Sequence, residues 1–309
     1  MVKRKYSRPK KRIIDQTGVA TFLSEIEFET EKIEQLWRHL IAFGSYQNKP
    51  AVFKLASTQK TAIKTQNEYH WNQAVWSVPE AEKLTLIVPE NFGFGHYGKL
   101  FYFICQWFGG KPLVDYGSPD VSRLAPNIGK VAQISREIMN LDFPSKIAFV
   151  KMHKNPAKVG DKLLNSAREW ASQVPRNLDG FLKVIEDSAD SLRVVPQHGD
   201  FVARQMYSVG KKIGLIDGEH AGFRGPRYYD SAQFYLRTRV DHQAKELAQE
   251  YLRLFKHLLP KSDQEIFWEE LKPVLIQRYI GDLWGGAKNP DKLGSLEIIG
   301  KEILENRII

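Results

Sequence analysis

The most informative stretch of the chain, residues 196–222, reads PQHGDFVARQMYSVGKKIGLIDGEHAG. Two carboxylates, Asp200 and Asp217, lie on either side of a short β-like hairpin that turns at residues 210–212. Because a tight hairpin brings its two ends together, we expect both carboxylates to reach one site. Gln205 adds a neutral oxygen between them, and Mg²⁺ prefers oxygen ligands of these kinds.

Phosphoryl transfer is the chemistry that fits these residue types. The attacking hydroxyl needs a carboxylate that orients it and takes its proton, and Asp200 suits that role. The anionic triphosphate needs a fixed positive charge, which Lys54 can supply from an apolar strand predicted at residues 50–55. Glu68, in a helix predicted at residues 61–76, is the candidate carboxylate that holds this lysine in place.

The run HGDFVARQMYSVGKKIGLIDGEHAG, residues 198–222, resembles a segment of the aminoglycoside phosphotransferase and choline kinase family. The resemblance implies a protein-kinase-like fold and Mg²⁺-dependent transfer of the γ-phosphate of ATP, or sometimes GTP, to a small-molecule hydroxyl. It implies Asp200 as the catalytic base. It also implies Gln205 and Asp217 as the metal ligands.

The same resemblance assigns residues nearer the N-terminus. Lys54 corresponds to the nucleotide-binding lysine, with Glu68 as its partner. Residues 103–110 are similar to the linker whose backbone meets the adenine, here near Gln106 and Phe108. Asp230 corresponds to an aspartate that steadies the catalytic loop.

Three departures from the family pattern favour an alternative. Gln205 stands where the family has asparagine, and Gly218 replaces a residue that is commonly aromatic. No glycine-rich loop precedes Lys54, since residues 25–34, between the first two predicted strands, are acidic and glycine-free. The alternative is a kinase-like pseudokinase module that binds nucleotide and is catalytically weak or inactive.

The predicted fold class is α+β, a two-lobed protein-kinase-like fold with a small β-rich N-lobe and a larger, mostly helical C-lobe. We expect a basic disordered tail at residues 1–19, a nucleotide-binding lobe at 20–109, and a helical catalytic and substrate lobe at 110–309. In the N-lobe, the predicted elements are an edge strand at 20–28, a loop or helical turn at 30–37, a hairpin of 39–46 and 50–55, a helix at 61–76, a strand at 84–88, a loop at 90–98 and a strand at 100–108. In the C-lobe, they include a hairpin at 205–216, a long helix at 239–259 and a helix from 262 that Pro273 interrupts.

Composition and charge bound the remaining expectations. The 309 residues are 42% hydrophobic and 26% charged, as in ordinary globular proteins. No apolar segment is long enough to cross a bilayer, and Cys105 is the only cysteine, so we expect a cytoplasmic protein. Residues 1–12 hold seven Lys or Arg and no acid, and without them the formal net charge falls from +9 to +2. We expect this tail to be a solvated arm, and the alternative is an arm that contacts nucleic acid, which the rest of the chain is not expected to do.

Overall fold

The computed structural model describes residues 13–147, 158–286 and 290–308, and the basic segment 1–12 lies outside them. The chain divides into two compact units. The first holds the described residues up to Gln73 together with Pro89–Gly109. The second holds Ala74–Val88 and the described residues from Gly110 onward.

The structure is α+β, as the sequence predicts. Its strands are β1 Phe28–Gln35, β2 His39–Tyr46, β3 Lys49–Ala56, β4 Leu86–Ile87, β5 Asn91–Tyr97, β6 Leu100–Gln106, β7 Val194–Gln197, β8 Met206–Val209, β9 Lys212–Leu215 and β10 Gly222–Pro226. Its helices are α1 Gln16–Glu25, α2 Gln59–Trp76, α3 Ile128–Met139, α4 Val159–Ala171, α5 Asp179–Ser188, α6 Tyr229–Asp241, α7 Lys245–His257, α8 Lys261–Glu265, α9 Phe267–Gly286 and α10 Pro290–Leu304.

A five-stranded antiparallel sheet in the order β1-β2-β3-β6-β5 forms the first unit. Its β2–β3 hairpin turns at Gln47 and Asn48, which both have positive φ, as a two-residue type I′ turn requires. Phe53 and Leu55 of β3 belong to the buried cluster formed with α1. Since successive strand side chains alternate between faces, Lys54 points to the opposite face.

The opposite face of this sheet carries α2. Tyr69 of α2 packs with Phe101, Phe103 and Cys105 of β6 in a second buried cluster. Glu68 precedes Tyr69 on the same helix and is itself buried. The alternation along β3 and the packing of α2 therefore place Lys54 and Glu68 on one side of the sheet.

Four predictions for the first unit are wrong. Residues 20–28 were predicted as an edge strand, but Gln16–Glu25 is helix α1, because Asp15 caps its N-terminus and Val19 and Leu23 form a buried i, i+4 face. Residues 16–19, which were predicted to belong to the disordered tail, form the start of this helix. Residues 30–37, predicted as a loop or helical turn, and residues 90–98, predicted as a loop, lie largely in β1 and β5, the two edge strands of the sheet. Edge strands tolerate the charges and glycines that suggested loops.

Two small β structures and a helical core form the second unit. Strands β7 and β10 pair antiparallel, and β4, β9 and β8 make a three-stranded sheet that contains the predicted β8–β9 hairpin. Helix α6 packs against α7 and α9, while α3 packs on α7 and α4 on α9. Nearly every side chain of α6 is buried, so this helix is a fixed scaffold for what it contacts.

The second unit also corrects two helix predictions. Residues 239–259 are not one helix, because α6 ends at Asp241 and α7 begins at Lys245, with Gln243 at positive φ between them. Pro273 lies inside α9 and does not interrupt it. The surrounding buried residues, including Leu271 and Val274, stabilise this helix through packing in spite of the lost backbone hydrogen bond. None of the helices in the described part of the chain is long and apolar enough to span a membrane.

Candidate active site

The loop after β7 is tied to the start of α6. Asp230, in the first turn of α6, accepts hydrogen bonds from the backbone N–H of His198 at 2.7 Å and of Gly199 at 2.8 Å. Burial raises the pKa of Asp230 to about 6, although the two N–H donors favour its charged form. The predicted structural role of Asp230 is confirmed by these two bonds.

Gly199 is the position in this loop that requires glycine. Its φ is +81°, and a Cβ there would lie 2.3 Å from the carbonyl oxygen of His220. The close approach packs the loop against the short 3₁₀ turn Gly218–His220, which directly follows Asp217. A residue without a side chain thus allows the two acid-bearing segments of the site to touch.

Three of the predicted site residues meet through one side-chain amide. The Nε2 atom of Gln205 donates to Oδ2 of Asp200 and to Oδ2 of Asp217, both at 2.9 Å. Gln205 is 6% exposed and ends a short 3₁₀ turn, while Asp217 has a φ of +68°. The backbone N–H of Ile216 also donates to the backbone carbonyl oxygen of Gln205 at 3.1 Å. The hairpin therefore brings Asp200 and Asp217 together, with Gln205 between them.

These residues fit a magnesium ion by the chemistry of their oxygens. The Oε1 atom of Gln205 is buried and has no hydrogen-bond partner among the described residues. A 180° rotation of the amide exchanges Nε2 and Oε1, and Oε1 would face the two carboxylates favourably only when a cation lies there. No cluster of three or more His, Cys, Asp or Glu side chains suited to a metal occurs in the described ranges. Beside the carboxylate oxygens of Asp200 and Asp217, the amide oxygen of Gln205 would be the third oxygen of this site.

Two further side chains contact Asp200. Gln233 of α6 donates from Nε2 to Oδ1 at 3.3 Å, and the Arg204 guanidinium lies 3.4 Å from Oδ2. Gln233 was not predicted from the sequence. The signal that could have found it is its spacing, because a residue three positions after Asp230 on a helix shares its face.

His198 is fully buried beneath this cluster. Burial lowers the pKa of its imidazole, against the opposing effect of Asp200 and Asp217. A neutral, enclosed ring is suited to a structural role in this loop.

The first unit contains the ion pair between Lys54 and Glu68. Lys54 Nζ lies 2.5 Å from Glu68 Oε2, and the two side chains are 11% and 6% exposed. Cys105 lies near both charges, and burial raises the pKa of its thiol far above the usual range, so it stays protonated. The structure thus holds an enclosed ammonium at the position predicted to bind phosphates.

Gln106 is the last residue of β6 in the first unit, and Phe108 lies two residues further along the chain. The backbone N–H of Gln106 donates to the Glu90 carbonyl at 2.8 Å, so this N–H is used within the unit. Phe108 is buried, with 5% exposure. Any contact of Gln106 with an adenine would therefore use its other atoms.

The turn between β1 and β2 occupies residues 36–38, not the predicted 25–34. It has only three residues and no glycine. Trp37 is 60% exposed, and the Arg38 guanidinium lies 4.8 Å from the centroid of its ring. A cation–π pair therefore occupies the turn in which nucleotide-binding kinases carry glycines.

Comparison with known proteins identifies the fold. The sequence matches no protein-family model and no curated protein. The structure is similar to aminoglycoside phosphotransferase APH(4)-Ia, a thermostable mutant in ternary complex with ADP and hygromycin B, with a TM-score of 0.65 at 15% identity over 92% of this chain and 97% of that one. It is also similar to aminoglycoside 2′-phosphotransferase-IIIa in complex with GDP, with a TM-score of 0.63 at 13% identity over 94% and 99%.

A further solved structure, APH(2″)-IIIa with GDP and kanamycin, gives a TM-score of 0.62 at 12% identity over 94% of this chain and 99% of that one. These similarities establish that the chain has the protein-kinase-like fold of the aminoglycoside phosphotransferases. The resemblance stated from residues 198–222 is thereby confirmed at the level of the fold.

Proposed function

We propose that this protein is a phosphotransferase that moves the γ-phosphate of ATP to a hydroxyl of a small-molecule acceptor. The observation that carries the proposal is the junction of Asp200, Gln205 and Asp217 on a loop anchored by Asp230. The structural neighbours support the acceptor class, because they were solved with ADP or GDP and with hygromycin B or kanamycin.

Asp200 performs the proton transfer. Its carboxylate accepts a hydrogen bond from the acceptor hydroxyl and takes the proton as the acceptor oxygen bonds to the γ-phosphorus. The bond from the γ-phosphorus to the bridging oxygen breaks, and its electron pair leaves with ADP. The orientation of Asp200 is set by donors on both of its oxygens.

Gln205 and Asp217 are the residues that would hold Mg²⁺, which when bound neutralises charge on the phosphates. In the first unit, Lys54 binds the phosphates and Glu68 holds its ammonium in one place. The segment around Gln106 and Phe108 takes the adenine, and GTP is a second candidate donor because two neighbours carry GDP.

A kinase-like module that binds nucleotide without efficient turnover is the second candidate function. Two observations favour it. The Gln205 amide already satisfies both carboxylates, so a metal must displace it. The β1–β2 turn at residues 36–38 also has no glycine, and a phosphate cradle of backbone N–H groups needs close backbone approach.

The test combines binding with product detection. The full chain is incubated with ATP and Mg²⁺ and with hygromycin B, kanamycin and a set of alcohols without amino groups. A phosphorylated acceptor in the mass spectrum supports the phosphotransferase. A thermal shift with ATP and Mg²⁺ but no ATP consumption supports the second candidate. Neither binding nor turnover contradicts both.

A further inference from the structure

We propose that Gln233 is a positioning residue that sets the orientation of the Asp200 carboxylate, and this inference rests on the proposed function. Gln233 is 4% exposed on α6, and its Nε2 atom donates to Oδ1 of Asp200 at 3.3 Å. A buried amide is costly unless it is hydrogen-bonded, so this bond restricts the rotamers of both side chains.

The donors around Asp200 make its two oxygens different. Oδ2 receives the Gln205 amide at 2.9 Å and lies 3.4 Å from the Arg204 guanidinium. Oδ1 has a single side-chain donor in the described part of the chain, Gln233. Each carboxylate oxygen has two lone pairs, so Oδ1 keeps one for the acceptor hydroxyl. Gln233 thus determines where the reactive lone pair points.

Helix α6 positions the loop and its side chain together. Asp230 binds the backbone N–H groups of His198 and Gly199, and Gln233, three residues further on the same face, binds the carboxylate. Ten residues of α6 are buried, so packing against its neighbours holds the helix in place. Without Gln233 the loop backbone keeps its anchor while the carboxylate gains freedom about its side-chain torsions.

A matched control exists on another helix. Gln277 of α9 is also 4% exposed, and its Nε2 atom donates to Ser166 Oγ at 2.9 Å, with no contact to Asp200. Gln233→Met and Gln277→Met each remove one buried amide and keep most of the side-chain volume. Gln233→Glu is a second variant, which keeps the size of the side chain and places an acceptor beside Asp200.

The experiment measures three quantities for the full chain and each variant: the midpoint of thermal unfolding, the Kd of AMP-PNP with Mg²⁺, and the rate of ATP hydrolysis with water as acceptor. We expect both Gln233 variants to hydrolyse ATP roughly 10- to 100-fold more slowly with a Kd within about twofold, because misplaced catalytic groups lose rate more than binding. Gln277→Met stays within about twofold in rate while losing a comparable amount of thermal stability.

Two outcomes overturn the inference. One is a hydrolysis rate of Gln233→Met or Gln233→Glu within about twofold of wild type, and the other is an equal loss of rate in Gln277→Met. If the wild-type chain consumes no ATP with water or with any acceptor used to test the proposed function, that function fails instead, and crystal structures decide the role of Gln233. Rotation of the Asp200 carboxylate by more than about 30° in Gln233→Met then supports it, and an unmoved carboxylate overturns it.

Discussion

Asp217 contributes a carboxylate beside Gln205 from a backbone with positive φ, a conformation that non-glycine residues adopt at a cost. Asp217→Asn keeps the size of the side chain and removes its charge. We expect Mn²⁺, a paramagnetic substitute for Mg²⁺, to bind at least about 10-fold more weakly in the presence of AMP-PNP, because a carboxylate is the favoured ligand of hard cations. Electron paramagnetic resonance measures the free Mn²⁺. Equal affinity in the variant removes Asp217 from the metal site.

Asp230 gives the stability a dependence on pH. Its pKa in the folded chain is about 6, raised mainly by burial from an ordinary value of 3.8. Because the pKa of Asp230 is higher in the folded chain than in the unfolded chain, the protonated carboxyl stabilises the fold. This stabilisation is fully present below the pKa of the unfolded chain and is lost as the pH rises through about 6. Above that pH the ionised carboxylate lowers the free energy of unfolding by roughly 3 kcal/mol relative to the protonated form.

The prediction concerns Asp230→Asn, which cannot ionise. Between pH of about 4 and 7, the free energy of unfolding of the wild type should fall relative to the variant by up to roughly 3 kcal/mol. Urea denaturation across this range measures the difference. Parallel pH curves for the two proteins are the result that disagrees with a raised pKa.

The loop that follows β7 depends on Gly199, and Gly210 offers a matched comparison. Both have positive φ, but a Cβ at Gly199 would meet the His220 carbonyl at 2.3 Å, while the space at Gly210 is open. Gly210→Ala should cost about 1 kcal/mol of stability, the backbone penalty alone. Gly199→Ala should cost at least about 3 kcal/mol, since the loop must also move away from the turn after Asp217.

Chemical denaturation of both alanine variants gives these values. Turnover should fall in Gly199→Ala, because displacement of the loop shifts Asp200. It should be unchanged in Gly210→Ala, because that turn lies at the far end of the β8–β9 hairpin. Equal destabilisation of the two variants would mean that the close approach to His220 does not shape the loop.

Elements with strong local signals were predictable from the sequence. The β2–β3 hairpin has Gln47 and Asn48 between two apolar runs, and the β8–β9 hairpin has Gly210 at its turn. Helix α1 and strand β1 were not, because each is decided by tertiary packing. The apolar residues of α1 satisfy a helical period as well as an alternating one, and β1 carries charges because it is an edge strand.

In the candidate site, too, the residues of a local motif were predictable from the sequence, and those brought in by tertiary packing were not. Asp200, Gln205 and Asp217 follow from a short motif whose hairpin fixes their separation along the chain. Gln233 lies outside that motif, and only the placement of α6 against the loop brings its amide to Asp200. The dual contact of the Gln205 Nε2 atom also needed coordinates, because sequence identifies an amide but not which of its atoms faces the acids.

Across the whole molecule, identity to the structural neighbours is only 12–15%, yet the alignments cover 92–94% of this chain. Buried positions accept many apolar residues of similar volume, so a fold persists while identity declines. The recognisable sequence signal is confined to the loop and hairpin around Asp200 and Asp217, where backbone conformation and acid chemistry restrict the residue types. This explains why the structure identifies the fold although no family model matches the sequence.

Asp200→Asn in the full chain shows whether phosphate transfer by this protein depends on Asp200. The measurement is ATP consumption with Mg²⁺, followed by ³¹P nuclear magnetic resonance, alongside the Kd of AMP-PNP. We expect turnover to fall by about 10²- to 10⁴-fold while the Kd changes by less than about threefold, because a base is removed and the nucleotide contacts remain. Turnover equal to that of the wild type would exclude Asp200 as the catalytic base.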